Sequence, residues 1–294
     1  MGGSSYARDI GSTSFPSPST STASTVSSTS SSTASSEDVK HYYTTANKHS
    51  ASSSSKIFSQ QALDMIQTNL AHTSVHADVK PSRSIELTSG TGVVCALDVT
   101  GSMGNWLKVF LDKLPMFYGQ LIAHGIAEPQ LSVAVFGDAI KDNVRALQVT
   151  DFAEGLDIDT QVAKLWLTHS GLLAGAGNGV ESANLAAYYY AHKCTLPPLP
   201  EANRDQKHFF FMTGDEPTYM DVDIKQFAPY FNPDDIKEMT TSEIFNRLKE
   251  KFHVFFILKT CEHKPYLRKN PNFNDEMFEF WAGLVGENRI LPLE

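Results

Sequence analysis

Residues 92 to 102 read Gly92-Val93-Val94-Cys95-Ala96-Leu97-Asp98-Val99-Thr100-Gly101-Ser102, and this stretch decides the fold. The part before Asp98 is almost wholly apolar, as expected for a strand that is buried on both faces of a parallel sheet. Asp98 ends the apolar run, and Gly101 permits a tight turn soon after it. The stretch therefore predicts a central parallel strand that leads into a polar loop.

Strands and helices alternate along the remainder of the chain. Apolar runs of strand length lie at residues 131–136, 147–149, 209–212, 254–258 and 289–291. Apolar residues at helical spacing predict helices at residues 107–121, 157–167, 180–192, 244–252 and 275–284. This alternation predicts an α/β fold of the Rossmann-like type, with a mostly parallel central sheet and helices on both faces.

Three local features add detail to this prediction. Pro115 interrupts the first helix and is expected to kink or split it. Thr240 and Glu243 have the spacing of a capping box at the start of a later helix. Of the three consecutive tyrosines at residues 188–190, one or two are expected to pack in the core.

Two acidic residues follow predicted strands, and ligands bind outside the carboxyl ends of strands in an open α/β sheet. Asp98 ends its strand, and Asp215 follows closely after residues 209–212. Thr100 and Ser102 alternate with Asp98, and alternate side chains of an extended loop point the same way. Such an all-oxygen set suits Mg²⁺ or another hard divalent cation, and leaves positions for water or a partner's oxygen. We therefore predict these four residues as metal ligands.

Each acid also has a purely structural interpretation. Asp98 is a residue type that caps helices well, and a helix is predicted directly after it. Asp215 lies in Gly214-Asp215-Glu216-Pro217, which has the composition of a turn.

The motif resembles the metal-ion-dependent adhesion site of the von Willebrand factor A (vWA) family, which begins Asp-x-Ser-x-Ser. Thr100 replaces the first Ser and keeps a hydroxyl, and the form Asp-x-Thr-Gly-Ser-Met is similar to that of A domains linked to alpha-kinases. Residues 131–138 resemble the second strand of the family and residues 210–215 its fourth strand. The resemblance covers roughly residues 92–293 and includes no alpha-kinase segment. It implies the vWA fold, with Asp215 on the third metal-site loop.

The second metal-site loop departs from the family pattern. The family usually supplies a Thr after a glycine pair and before a helix, but residues 175–182 read Gly-Ala-Gly-Asn-Gly-Val-Glu-Ser. Asn178 and Glu181 are the alternative ligands that this stretch offers. The sequence therefore leaves open which residue of the second loop is a ligand.

Three regions are expected along the chain. Residues 1–55 form a Ser/Thr-rich tail, which is expected to be disordered because Ser, Thr, Ala and Gly cannot bury enough apolar area to offset the entropy of ordering. Residues 56–90 are expected to be a helix and a linker, since apolar residues in 56–71 lie near helical spacing. Residues 91–294 are expected to form the vWA-like domain.

Composition narrows the possible environment and partners. The formal net charge of −9 disfavours nucleic acid as a partner, and no apolar stretch has the length of a membrane span. The three cysteines are far apart and odd in number, which indicates a reducing compartment and hence a cytoplasmic location.

Two functions from different classes fit the motif. The first is a non-enzymatic module that binds a protein partner, with the ion bridging to an Asp or Glu carboxylate of that partner. The alternative is a haloacid-dehalogenase-like phosphotransferase with Asp98 as the nucleophile, because residues 98–102 also resemble the Asp-Lys-Thr-Gly-Thr of cation-pumping ATPases. That fold also needs a second acid four residues after a Gly-Asp pair, where this sequence has Tyr219.

Overall fold

The computed structural model describes residues 75–103, 106–142, 146–165, 179–199, 207–260 and 272–293. The predicted tail at residues 1–55 lies outside these residues, as do Asn178 and the helix predicted within residues 56–71.

The strands are β1 (Ile85–Glu86), β2 (Thr91–Asp98), β3 (Pro129–Phe136), β4 (Leu147–Val149), β5 (Cys194–Thr195), β6 (His208–Gly214), β7 (Phe252–Lys259) and β8 (Ile290–Leu293). All strands except β1 and β5 follow the apolar runs of the sequence, and each of their ends lies within two residues of the expected one. In the described residues the main sheet has six strands, in the order β4-β3-β2-β6-β7-β8. Its neighbouring strands are parallel except β3 and β4, which are antiparallel. The predicted α/β fold with a mostly parallel sheet is confirmed, and the short strand β4 lies at an edge.

Helices cover both faces of this sheet. They are α1 (Trp106–Ala123), α2 (Ala139–Asp142), α3 (Asp157–Val162), α4 (Ala183–His192), α5 (Ile224–Phe227), α6 (Thr241–Lys251) and α7 (Phe273–Val285). Helices α1 and α3 pack on one face, whereas α4, α6 and α7 pack on the other. Strand β2 lies between the two cores, and every one of its residues is buried. Its unbroken apolar run is a consequence of that position, since neither face is in contact with water.

Helix α1 runs through Pro115, so the expected split does not occur. A proline removes its own N–H donor and crowds the carbonyl four residues earlier, but the buried residues Leu111, Leu114 and Tyr118 hold both halves against the sheet. The capping box is confirmed at the start of α6, where the side chains of Thr240 and Glu243 each accept a hydrogen bond from the other's backbone N–H.

Strands β1 and β5 form a small separate parallel sheet, which the sequence did not predict.

All three tyrosines of α4 are buried, which exceeds the one or two expected. The reason is that α4 packs against other elements on every side, and each hydroxyl finds a partner inside. Tyr188 donates to the carbonyl of Asp235 at 3.2 Å, Tyr189 donates to the carbonyl of Arg83 at 3.0 Å, and Tyr190 lies 2.7 Å from the Ser132 hydroxyl. These hydrogen bonds offset the cost of burying three hydroxyl groups.

The end of α4 is held by a lysine from α6. The Lys251 ammonium donates to the carbonyl oxygens of Ala191 at 2.7 Å and Cys194 at 2.9 Å. Carbonyls at the end of a helix lack partners within the helix, and a cation there also interacts favourably with the helix dipole. Lys251 therefore joins α6, the end of α4 and the start of β5.

No helix in the described ranges is long and apolar enough to cross a membrane.

His208, at the start of β6, is a buried neutral histidine. Its Nδ1 accepts a hydrogen bond from the backbone N–H of Gly92 at 2.9 Å, and its Nε2 donates to the carbonyl of Pro197 at 3.1 Å. Burial lowers the pKa of His208 below the usual 6.5, although the hydrogen bond to Pro197 partly opposes this change. A second ring proton would break the hydrogen bond from Gly92, which joins β2 to β6.

We expect His208 to make the protein less stable in mild acid. In the unfolded chain this histidine binds a proton near its ordinary pKa of 6.5, whereas in the folded chain it stays neutral to lower pH. The free energy of unfolding should therefore fall as the pH drops from about 7 to about 5. Urea denaturation at several pH values measures the slope of the free energy of unfolding against pH. His208→Asn should reduce this slope by up to about 1.4 kcal/mol per pH unit, which corresponds to one proton. Equal slopes in the two proteins would contradict the assignment.

Candidate metal site

The site begins where β2 ends, at Asp98. The backbone N–H of Asp98 donates to the Thr213 hydroxyl at 3.1 Å, which ties this end of β2 to β6. Its Oδ1 accepts from the backbone N–H of Thr100 at 2.8 Å and from the Thr100 hydroxyl at 2.7 Å. Both residues are almost fully buried. The loop that begins at Asp98 therefore folds back, so that Thr100 donates to the Asp98 carboxylate.

Ser102 and Asp215 complete a continuous chain of hydrogen bonds. The hydroxyls of Thr100 and Ser102 are 3.1 Å apart, and Ser102 donates to Oδ1 of Asp215 at 2.7 Å. Asp215 follows β6, the neighbour of β2, and is completely buried. The structure therefore brings together the four residues predicted as ligands from two separate parts of the chain.

One carboxylate oxygen in this cluster has no hydrogen-bond partner. Oδ2 of Asp98 is buried and unpaired, although Oδ1 accepts two hydrogen bonds. A Cβ atom added at Gly214 would lie 3.7 Å from this oxygen and 3.1 Å from the Phe256 ring, so β6 approaches closely here. An unsatisfied buried carboxylate oxygen is costly. It is the feature that a bound cation would satisfy.

Glu181 lies in the loop before α4, at the same edge of the sheet. Its backbone N–H donates to the carbonyl of Pro217 at 2.9 Å, and its carbonyl accepts from the Thr218 hydroxyl at 2.9 Å. The next residue, Ser182, is hydrogen-bonded to Gly137 and Ala139 in the loop after β3. These bonds fix Glu181 between the loops that follow β3 and β6. Its side chain is buried, and Oε2 has no hydrogen-bond partner.

Buried negative charges dominate the electrostatics of the site. Burial, and then the charge of Asp215, raise the pKa of Asp98, while its two hydrogen bonds from Thr100 oppose this rise. Burial, and then the charges of Asp98 and Glu216, raise the pKa of Glu181 still further, with smaller effects from Asp138 and Asp215. The carboxyl groups of Asp98 and Glu181 therefore retain their protons to a higher pH than they would in water. A divalent cation would displace these protons and favour the ionised forms.

Lys259 is a residue of the site that the sequence analysis missed. It ends β7, and its ammonium lies 4.0 Å from Oδ2 of Asp215 and donates to the carbonyl of Ser102. The sequence offered one signal for it, since Lys259 directly follows the apolar run at residues 254–258. Parallel strands end at the same edge of a sheet, so this lysine was to be expected near Asp98 and Asp215. A positive charge at this position compensates part of the acidic charge and opposes the binding of a cation.

The donor set consists of oxygen atoms, so it suits a hard cation better than a metal that prefers thiolate or imidazole ligands. Among the described residues, no three His, Cys, Asp or Glu side chains are grouped so as to hold a metal ion. The cluster instead combines the carboxylates of Asp98 and Asp215 with the hydroxyls of Thr100 and Ser102, and the buried Oδ2 of Asp98 has no other partner. Neutral and anionic oxygens are the preferred ligands of Mg²⁺ and similar ions.

No protein-family model matches this chain, and no curated protein matches it. Among solved structures, the chain is similar to the pilus adhesin SpaC from Lactobacillus rhamnosus GG in its open conformation. The TM-score is 0.45 at 7% sequence identity, and the match covers 72% of this chain and 29% of the adhesin chain. The chain thus corresponds to less than a third of that adhesin.

We expect Asp98→Asn to remove cation binding without unfolding the protein. The buried like charges of Asp98 and Asp215 disfavour folding when no ion is bound, so the variant without ion should melt at or above the wild-type Tm. Saturating Mg²⁺, at about 100 times Kd, should raise the Tm of the wild type by about 5 to 10 °C and leave that of the variant unchanged. Differential scanning calorimetry checks both values.

The matched control for this experiment is Asp234→Asn, at an exposed position far from any strand end. It should retain the full response to Mg²⁺. If Asp98→Asn unfolds the domain, the carboxylate is required for folding and the interpretation of Asp98 as a ligand is wrong.

We expect Lys259→Met to tighten cation binding. The ammonium lies 4.0 Å from Asp215 and repels a second cation there. After allowance for solvent screening, its removal should lower the Kd for Mg²⁺ on the order of ten-fold. Isothermal titration calorimetry measures this change, with Lys225→Met at an exposed position as the matched control. Weaker binding by the Lys259 variant would show that the ammonium organises the site instead of opposing the ion.

Proposed function

We propose that this chain is a metal-dependent protein-binding module of the vWA type and is not an enzyme. Asp98, Thr100, Ser102 and Asp215 would hold Mg²⁺ or a similar hard divalent cation. Once bound, the ion supplies a Lewis-acidic contact that bridges to an Asp or Glu carboxylate of a protein partner. The observation that carries this proposal is the buried, unpaired Oδ2 of Asp98 beside two hydroxyls and a second carboxylate.

The residues around the ion position each have a distinct part in this proposal. Thr100 fixes the orientation of the Asp98 carboxylate through two hydrogen bonds. Ser102 is partly exposed, so it forms the side of the cluster from which a partner can approach. Asp215 is completely buried and orients the Ser102 hydroxyl from beneath. With so few protein charges in contact, the ion would remain attractive to an outside carboxylate.

The arrangement of the main sheet supports the vWA resemblance. The resemblance assigns residues 131–138 to the second strand of the family and residues 210–215 to its fourth. Counting along the chain within the main sheet, β3 is the second strand and β6 is the fourth. Both strands end at the edge where the cluster lies, as ligand sites do in open α/β sheets.

Glu181 takes the place of the threonine expected on the second metal-site loop. Its buried carboxyl group has an unpaired oxygen and is affected by the charges of Asp98 and Asp215. When a cation is present, we propose that Glu181 is ionised and supplies extra negative charge. It would then strengthen the hold on the ion and at the same time reduce the attraction of the ion for a partner's carboxylate.

We expect Glu181→Gln to separate these two effects. Loss of one negative charge should weaken Mg²⁺ binding by roughly ten-fold, while binding of the partner at saturating Mg²⁺ should become tighter. Titration calorimetry with Mg²⁺ and partner binding at high Mg²⁺ measure the two effects separately. Glu279→Gln, at an exposed position, is the matched control. Weakening of both interactions would mean that Glu181 only supports the structure of the site.

A pull-down with the full chain tests the proposed function directly. A true partner should be retained in Mg²⁺, released by excess EDTA, and lost with Asp98→Asn and Ser102→Ala but not with Asp234→Asn. Replacing the acidic residues of the partner one at a time should then identify the bridging carboxylate. Retention that is unchanged in EDTA would rule out the bridging mechanism.

The haloacid-dehalogenase-like alternative makes a different prediction with the same variants. If the Asp98 carboxylate is a nucleophile, the wild type should release phosphate from a generic aryl phosphate in Mg²⁺, and Asp98→Asn should not. The position where that fold needs its second acid is Tyr219, whose hydroxyl lies 3.4 Å from both carboxylate oxygens of Asp138. Phosphate release that depends on Asp98 would favour the enzyme over the binding module.

A further inference from the structure

Strands β6, β7 and β8 are buried on one face and only partly buried on the other. On the first face, Phe210, Phe256 and Ile290 are buried in the core that also contains residues of α6 and α7. On the second face, the alternate residues are also apolar but remain partly accessible. These residues, called the open face below, are Phe209, Phe211, Phe255, Ile257 and Leu291. Leu291 is 43% exposed, although strands of parallel sheets are normally covered on both faces.

The strand register makes the open face one continuous apolar surface. Phe211 of β6 pairs with Phe255 of β7, and Ile257 of β7 pairs with Leu291 of β8. The rings of Phe211 and Phe255 are stacked with their centroids 5.3 Å apart. Because neighbouring strands are about 4.8 Å apart, this surface is about 10 Å wide from β6 to β8.

The described helices on this side of the sheet lie toward its other half. Helices α1 and α3 both contact β3, which is two strands away from β6 in the sheet. Asp78, near the start of the described chain, forms an ion pair of 2.9 Å with Lys164, just after α3. On the opposite side of the sheet, α6 and α7 both contact β7. Within the described ranges, the open face thus lacks the helical cover that β7 has on its other side.

Helix α1 forms the wall of a groove beside the open face. Phe117 of α1 contacts Phe211 edge-on at a centroid distance of 5.6 Å. Farther along, a groove of about 200 Å³ lies between α1 and the strands, and its lining includes Trp106 and Phe110. Val109 also lines this groove and is 42% exposed. The apolar surface therefore continues from the strands onto α1, and an apolar surface of this extent indicates a binding partner.

Positive charges border this apolar surface, although the whole chain has a formal net charge of −9. Lys113 of α1 lines the groove and is exposed, and it forms no ion pair with any described residue. The Arg289 guanidinium lies 4.6 Å from the ring centre of Phe255. Asp98 also lines the groove, but it is almost fully buried. The charges that a partner can reach along the groove are therefore positive.

The electrostatic environment is also positive near the start of β7. His253 pairs with Phe209 of the open face. Burial lowers the pKa of His253, and the positive charges of Arg289 and Lys207 lower it further. Negative charge on a partner would thus be attracted to this end of the open face as well as to the groove.

We propose that the open face and its groove bind an acidic amphipathic helix of a partner protein. Apolar side chains on one side of that helix would cover Leu291 and fill the groove. Acidic side chains at the borders of its apolar side would lie near Lys113 and Arg289. Binding of an amphipathic helix in an apolar groove is a common mode of peptide recognition. The proposal does not depend on the cation that we propose at Asp98.

The dimensions of the surface match one helix. An α-helix with its side chains is about 10 to 12 Å in diameter, close to the width from β6 to β8. A helix of about 18 residues is about 27 Å long, and the eight-residue strand β7 is about 26 Å long. The partner helix can therefore lie beside α1 and along the strands.

The longer segments of this chain outside the described residues lack the required charge. Residues 56–71 contain one lysine and one aspartate, and residues 166–178 contain three glycines and no acidic residue. Residues 261–271 contain three lysines or arginines and one glutamate, so Lys113 and Arg289 would repel them. Residues 1–55 are Ser/Thr-rich. Charge complementarity therefore favours a helix supplied by another protein.

Two synthetic peptides test the proposal with the full chain. Both have about 18 residues with leucines at helical spacing, and their remaining positions hold alanine with either glutamate or lysine. In fluorescence anisotropy, the glutamate peptide should bind on the order of ten-fold more tightly than the lysine peptide, because two cations border the groove. Its binding should be the same in Mg²⁺ and in excess EDTA, which separates this surface from the ion site. Equal binding of the two peptides, or tighter binding of the lysine peptide, would overturn the proposal.

Charge variants show whether the peptide occupies the groove. Lys113→Glu should weaken binding of the glutamate peptide on the order of ten-fold and strengthen binding of the lysine peptide. The matched control is Lys108→Glu, at an exposed position about 200° around α1 from Phe110, which should change neither value. Equal effects of the two variants would place the peptide elsewhere and overturn the proposal.

Photo-crosslinking distinguishes the other possible occupants. A benzophenone-bearing phenylalanine analogue at position 291 should cross-link to the glutamate peptide, and mass spectrometry of the digested protein would locate the link. The same analogue at position 156, where Leu156 is 72% exposed, should not. Without peptide, cross-links from position 291 to another segment of the same chain or to a second copy would show a different occupant and overturn the proposal.

Discussion

Strand β2 has a neighbour on each side and a layer of helices on each face, so none of its length is in contact with water. This burial is the constraint on which the rest of the structure depends. It requires an apolar sequence from Gly92 to Leu97, and it places the next residue, Asp98, where its carboxylate is withdrawn from solvent. The surrounding loops must then supply the hydrogen bonds that water would supply. Thr100 donates two hydrogen bonds to Oδ1 of Asp98, and the Thr213 hydroxyl accepts one from the Asp98 backbone N–H, but Oδ2 is left without a partner.

The same burial explains why the site is electrostatically strained. Carboxylates from the loops after β2 and β6 meet with little solvent between them, and a third acid, Glu181, joins them from the loop before α4. The raised pKa values of Asp98 and Glu181, together with the ammonium of Lys259, reduce the excess negative charge in the absence of an ion. Functional sites commonly reduce the stability of the fold that carries them. This agrees with the expectation that, without a cation, the neutral Asp98→Asn variant is at least as stable as the wild type.

Much of the fold could be predicted from the sequence because its strands are apolar runs of the correct length. Asp98, Thr100 and Ser102 were predictable together because they lie within five residues of one loop, although that loop forms a 3₁₀ helix at Gly101–Met103 and is not extended as expected. Asp215 followed from the rule that the carboxyl ends of parallel strands share an edge. Lys259 was missed because nothing local distinguishes it from a lysine that ends a strand at the surface. The continuity of α1 through Pro115 depends on packing against the sheet, which a local rule does not include.

The hydrogen bonds of the Lys251 ammonium determine which substitutions and modifications are compatible with this position. It is a compact group that donates to carbonyl oxygens three residues apart, at the end of α4 and the start of β5. The planar guanidinium of arginine is larger and directs its donors outward in a fixed fork, so it does not reproduce the convergent geometry of the ammonium at these two oxygens. Acetylation would remove the charge and leave two carbonyls competing for a single amide donor. Position 251 therefore favours a compact ammonium group. Replacement of Lys251 by arginine and acetylation of Lys251 should both destabilise this part of the fold.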